Sequence, residues 1–269
     1  MLYDRDFNIL TSEESEKIKK AESFKARTAI LKNGWTPENF LKYRELLPEA
    51  ADFHNSLFPN NLLYPDSIRN KDLNEKMRKD FETLLDSKIT ERDILNFINN
   101  NKYYNIIGSI FQKYLFGHHQ AFLFKEFELT STYKADYLLI GRGSGGYGFV
   151  FIELENPYGQ ITTKNGEFGS TFRKGIKQVE DWDSWLEANY SSLKLIFDKY
   201  KNPRMELTKE FNSLDKSRLN YVVIAGRRTD FNEKTYELKR KYLKRNNINI
   251  MHYDNLLDYF NDLSKHNNY

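Results

Sequence analysis

The chain contains no cysteine. Disulfides, thiolate zinc sites and cysteine nucleophiles are therefore excluded, and any chemistry falls to oxygen and nitrogen groups. It also lacks any apolar run approaching the roughly 20 residues that span a bilayer. Its first residues, Met1-Leu2-Tyr3-Asp4-Arg5-Asp6, have neither the basic nor the apolar region of a secretory signal. No membrane partner and a cytoplasmic location are expected. Neither sign of charge dominates, since 41 Lys and Arg stand against 38 Asp and Glu. The chain is thus no polybasic binder, and a nucleic-acid contact has to be a local patch. No internal repeat is visible. What the chain does have is bulk: 20 Phe, 18 Tyr and 3 Trp in 269 residues close a packed core and rule out disorder. That length holds one large domain, or an ordinary domain with an appendage.

The first third reads as helical. Thr11-Ser12-Glu13-Glu14 has the spacing of a capping box, predicting a helix from Ser12 to about Lys32. Thr36 and Pro37 predict a second helix to about Leu46, with Trp35 stapled on Phe40. The turn formers between Phe58 and Asp72 predict a linker, and the boundary is placed near residue 85. This gives a helical N-terminal region, 1–85, and a second domain, 86–269. The second opens with a helix from Thr90, carrying Ile94, Phe97 and Ile98 on one face, and continues after a break from Ile106 to Leu115. Strands follow at Ala121–Leu129, Ala135–Ile140 and Tyr147–Leu154. His118-His119 reads as the turn before them, not as a zinc site. The glycines at 141, 143, 145, 146 and 148 belong to hairpin turns and not to a phosphate loop, because no helix and no Gly-Lys-Ser/Thr follows. Thr171–Asn189 is a strong amphipathic helix, burying Phe172, Ile176, Val179, Trp182 and Leu186. Strand 219–225, helix 233–245, strand 248–252 and helix 255–263 then alternate, with Asp254 placed to accept the last helix's free amides. The fold class is α/β with a central mixed sheet flanked by helices.

Carboxylates are the candidate chemistry. Asp136 stands early in an otherwise largely apolar strand, and the next strand ends in Phe-Ile-Glu153-Leu-Glu155-Asn-Pro. Period-two geometry puts Glu153 and Glu155 on one face, and pairing of the two strands brings Asp136 near Glu153. Like charges so close call for a cation, and oxygen ligands without Cys or a His pair suit Mg²⁺ or Mn²⁺. The plain alternative is two glutamates facing solvent on a half-exposed strand. On the long helix, Lys174, Gln178, Asp181 and Trp185 share one stripe, from which Lys174 and Gln178 either face the acids or are merely solvated. Arg227 and Arg228, directly after a buried-type strand, are candidates for DNA phosphates or for surface ion pairs. The basic run 239–245 serves DNA or only solvates its helix.

Ala-Asp136-Tyr-Leu-Leu, Phe-Ile-Glu153-Leu-Glu155-Asn-Pro, Lys174-Gly-Ile-Lys177-Gln178-Val-Glu-Asp-Trp, Val-Val-Ile-Ala-Gly-Arg227-Arg228 and Asn249-Ile-Met-His-Tyr-Asp-Asn-Leu-Leu follow in an order and spacing that resemble the Shedu anti-phage defence nucleases, over roughly residues 90–262. The resemblance implies a restriction-endonuclease-like core of the PD-(D/E)xK type that cleaves DNA with Mg²⁺ or Mn²⁺. Asp136 and Glu153 take the first two motif positions and Gln178 the helix glutamine beside the metal, while Glu91 is either an additional acid or only a first-turn residue favoured by the helix dipole. Asp136, Glu153 and Glu155 are the metal ligands in this reading, with Lys174, Lys177, Arg227 and Arg228 toward DNA. The chain departs from the pattern at Glu155, where the motif has lysine. Either Glu155 acts as base or second-metal ligand, the favoured reading, or Lys174 or Lys177 supplies the charge from the helix, or the site is inactive. A homo-oligomer, dimer or tetramer, is the expected assembly, with residues 1–85 regulating or assembling it. The rival class is an inert DNA-binding or sensor protein of the same fold. An RNA-directed nuclease lacks support from any RNA-recognition motif.

Overall fold

The computed structural model describes residues 2–30 and 35–266. Contacts group the chain into two compact units, one formed by Tyr3–Leu62 with Tyr200–Glu206, the other by Leu63–Lys199 with Leu207 onward. In the first, α1 (Ser12–Ala29) packs on α2 (Pro37–Leu46) and α3 (Ala50–His54). The Thr11–Glu14 capping box closes α1, and Thr36 accepts from the Asn39 N–H at the start of α2. Trp35 meets Phe40 edge-on at 6.2 Å, the expected staple. The expected extension of α1 through Lys32 runs into residues 31–34, which lie outside the described ones. Phe7 stacks on Phe53 at 4.1 Å to form the small core of this unit.

The second unit begins with α4 (Pro65–Arg69), α5 (Lys71–Leu85), α6 (Glu91–Asn101) and α7 (Tyr104–Gly108). The meander β1 (Gln120–Glu128), β2 (Lys134–Gly143) and β3 (Gly146–Leu154) comes next. After it stand α8 (Ser170–Asn189), α9 (Leu193–Phe197), β4 (Leu219–Ile224), α10 (Glu233–Asn246), β5 (Ile248–Met251) and α11 (Asp254–His266). The strands form one open sheet in the order β1-β2-β3-β4-β5, antiparallel through β3 and parallel from β3 to β5. The stretch expected as a linker is partly folded: it holds a 3-10 turn at Pro59–Asn61 and α4, and Phe58, Leu62, Leu63 and Ile68 are buried. The division between units falls at Leu62, and α5, placed in the N-terminal region by composition, packs in the second unit against α11.

The glycine cluster serves the β2–β3 hairpin. Gly143 pairs with Gly146 across Ser144-Gly145, and Gly146 has φ +103°, a conformation that glycine adopts without strain. Gly141 and Gly148 face each other across the two strands, and a Cβ on either would strike the ring of Phe116, so together they form its slot. Every residue of β3 after Gly146 and all of β4 and β5 are buried, as expected of strands covered on both faces. α8 lays Phe172, Ile176, Val179, Trp182 and Leu186 on β3 and β4 at the spacing the sequence shows. One expectation is corrected: Asp254 does not cap α11. It is the first residue of that helix, and its carboxylate accepts from Arg227 and from the Arg228 backbone N–H, a stronger charged partner than free helix amides.

Candidate active site

β3 and β4 run in the same direction and end together, beside the start of the antiparallel β2. Open α/β sheets tend to carry their functional side chains at the carboxyl ends of the parallel strands. The carboxylates are found there. The last regular β2–β3 pair is Tyr137 with Ile152, so Asp136 stands one step further on, opposite Glu153. In place of a further ladder bond, the Leu154 N–H donates to Asp136 Oδ2 at 2.7 Å. Asp136 is thereby held against the end of β3. Glu155 is held from two sides: its N–H donates to the Ile224 carbonyl at 2.8 Å, and its own carbonyl accepts from the Tyr253 hydroxyl at 2.8 Å.

Glu153 and Glu155 are each only 3% exposed. They are not glutamates facing solvent on a half-exposed strand. Among the described residues, Glu153 Oε2 and Glu155 Oε1 have no hydrogen-bond partner. Burial, followed by the charges of Asp136, Glu155 and Glu91, pushes the Glu153 carboxyl up to about 10. Burial, opposed by the Leu154 N–H but supported by Glu91 and Glu155, raises Asp136 to about 7. Burial also raises Glu155, against the pull of Lys174. Four acids thus feel one another at this edge, Glu91 reaching it from the first position of α6.

Among the described residues, one ammonium is bonded to them. Lys174 Nζ lies 3.0 Å from Glu155 Oε2, joining a largely exposed lysine to a buried carboxylate. Partial burial works against its charge, but the bond to Glu155 and the charges of Glu155, Glu91 and Glu153 outweigh that and raise its affinity for a proton. The close approach of α8 depends on Gly175, where a Cβ would come within 2.7 Å of Val223 Cγ1 and 2.9 Å of Glu155 Cγ. Lys177, three residues further along α8, is turned instead to Asp181 at 3.1 Å. Gln178 is half-buried one turn beyond Lys174 on the same helix.

The two arginines part company. Arg227 is largely covered: it donates to both oxygens of Asp254, to the Leu85 carbonyl and to Asp86, tying the end of β4 to α11 and to the end of α5. Its fork is taken up by the fold. Arg228 is more than half exposed and pairs with Asp258 at 2.6 Å. The basic run of α10 stays with its own helix in part, Lys241 pairing with Glu237 at 2.6 Å. Two residues that touch the site are given no role in it by the sequence reading. Gly175 had a signal, since a glycine inside a strong helix is unfavourable unless something must come close. Tyr253 had none, its hydroxyl meeting Glu155 only through the fold.

The donor set suits a hard divalent cation: carboxylate oxygens, two of them buried and unpartnered, without sulfur or a competing imidazole pair. Among the described residues no three such groups already stand close enough to enclose an ion. The carboxylates would have to turn toward it.

The family model described as Shedu protein SduA, C-terminal, matches residues 88–257. That span runs from just before Glu91 to the first turn of α11 and includes every residue of the acidic edge. Among curated proteins, none matches the chain.

Proposed function

This chain belongs to the Shedu SduA C-terminal family, and we propose that it is a divalent-metal-dependent endodeoxyribonuclease with a restriction-endonuclease-like core, acting in anti-phage or anti-plasmid defence. The observation that carries this reading is the edge where Asp136, Glu153 and Glu155 meet a single lysine, with buried carboxylate oxygens left unpartnered. Asp136, Glu153 and Glu155 would hold Mg²⁺ or Mn²⁺, which would supply polarisation of a phosphodiester and a lowered pKa for an attacking water. The Leu154 N–H keeps Asp136 aimed at the edge, and the Tyr253 hydroxyl and Ile224 carbonyl do the same for Glu155. Lys174 supplies the positive charge that the motif ordinarily draws from the position of Glu155. Gln178 orients water or phosphate from the next turn of α8. Lys177 and Arg228, both exposed, approach the DNA backbone, while Arg227 serves by holding the turn from which Arg228 projects. Two strands require two cuts, so a homo-oligomer, dimer or tetramer, completes the reading.

The test is incubation of the purified protein with supercoiled, nicked and linear DNA, with Mg²⁺, Mn²⁺ or EDTA, beside Asp136→Asn and Glu153→Gln. Cleavage that needs the metal and is lost in both variants is expected. DNA binding without cleavage under any condition would replace the nuclease with an inert sensor. A matched RNA substrate, cut as fast as DNA, would change the substrate class.

A further inference from the structure

Lys174 and Glu155 are an unequal pair. The carboxylate side chain is 4% exposed and the lysine side chain 63% exposed, with 3.0 Å between the charged atoms. A buried carboxylate whose second oxygen has no partner keeps its charge outside this arrangement only with a substitute cation. The lysine can leave, because its stem lies on the surface of α8 and water is the alternative for its ammonium. The other acids of the edge, Glu91, Asp136 and Glu153, carry no positive charge in either protonation state and cannot neutralise Glu155, and Glu91 opposes its charge. No other lysine or arginine of the described residues is bonded to these four acids: Lys177, Arg227 and Arg228 are engaged elsewhere.

We propose that Lys174 is a tethered counter-ion: it holds Glu155 in the metal-free protein, yields it to a divalent cation, and is then free to turn to a DNA phosphate. This rests on the nuclease reading and specifies how the site passes from its resting to its loaded state. The displaced position of the lysine, on a helix instead of two residues along the strand, is what permits the exchange. A strand lysine would be fixed beside the ion, whereas one on the exposed flank of α8 can swing.

Two consequences separate this from a merely structural ion pair. Replacing Lys174 by methionine keeps the stem but removes the competitor, so Mn²⁺ binds more tightly, on the order of tenfold for one unit charge removed at this range in a partly screened site. A structural pair gives the opposite sign, because losing it would loosen Glu155 and weaken Mn²⁺ binding. Second, Lys174→Met costs DNA affinity mainly when a divalent cation is present, since only then is the ammonium released.

The experiment is calorimetric titration of Mn²⁺ into the full chain and into Lys174→Met, with Glu153→Gln as the control for the metal reading. Binding of a short duplex is then measured with Ca²⁺ and with EDTA. Tighter Mn²⁺ binding in Lys174→Met, together with a loss of DNA affinity at least threefold larger with Ca²⁺ than with EDTA, is the expected result. Unchanged or weaker Mn²⁺ binding in that variant overturns the proposal while leaving the nuclease reading in place. An equal loss of DNA affinity with and without Ca²⁺ also overturns it. Absence of any Mn²⁺ binding that depends on Glu153 removes the metal reading and this proposal with it.

Discussion

Glu153→Gln should stabilise the metal-free protein, although Glu153 stands in the centre of the acidic edge. The unfolded chain ionises this carboxyl near 4.5, whereas burial and the neighbouring acids raise it to about 10 in the folded chain. Between those values the folded state binds the extra proton, so stability is greatest below the unfolded pKa and falls as pH rises toward the folded one. At pH 7 the accumulated penalty covers roughly 2.5 pH units at about 1.4 kcal/mol each, or about 3 kcal/mol. Glutamine has the same shape and no proton to take up, so the variant escapes the penalty. Urea unfolding in EDTA at pH 5, 6, 7 and 8 should show a gain for Glu153→Gln that is small at pH 5 and grows by about 1.4 kcal/mol per unit. With saturating Mn²⁺ the order should reverse, because the wild type then gains from its ligand and the variant does not. A gain independent of pH, or a variant no more stable than wild type at pH 8 in EDTA, would show that Glu153 is not a buried acid kept neutral by its surroundings.

Gly175→Ala forces a Cβ against Val223 and Glu155; it should cost about 1–3 kcal/mol in urea unfolding and weaken Mn²⁺ binding together with stability. Arg227→Ala removes the covered partner of Asp254 and should destabilise by about 3 kcal/mol, whereas Arg228→Ala, losing an exposed pair with Asp258, should cost about 0–1 kcal/mol while lowering DNA affinity. Thermal melts and a salt series of DNA binding distinguish the two. Tyr253→Phe leaves the Glu155 carbonyl without its donor and should cost about 1 kcal/mol, with a fall in Mn²⁺ affinity measured by calorimetry.

Wherever periodicity and local chemistry decide the structure, the sequence was readable. The α8 face, the Thr11 and Thr36 caps and the glycine hairpin are local, and each stands where its pattern puts it. The alternation of strands and helices after β3 likewise announced the parallel half of the sheet. Boundaries that depend on long-range packing were less visible. The prolines and asparagines of 58–72 suggest a linker, yet four large apolar side chains of that stretch are buried, and composition does not say where such side chains go. The roles of Asp254 and Arg227 also required the fold, because their partners lie 27 residues apart and at the end of α5.

The acidic edge shows why one half of a site reads from sequence and the other does not. Glu153 and Glu155 are two residues apart on one strand, and Asp136 pairs with that strand through a short hairpin, so their convergence follows from period and register alone. The charge that answers them comes from 19 residues further along the chain. Lys174 and Lys177 are both offered by the sequence, Lys174 alone sharing the stripe of Gln178; what separates them in space is the rotation of α8 about its axis. That rotation is set by Phe172, Ile176 and Val179 seeking the sheet and by Gly175 allowing contact with Glu155. Once those four residues point inward, Lys174 is carried to the edge and Lys177 to Asp181. The absence of lysine at position 155 therefore does not empty the site of positive charge. It moves the charge to an element whose orientation is fixed by apolar packing, where the sequence offers Lys174 and Lys177 and the three-dimensional structure places Lys174 at Glu155.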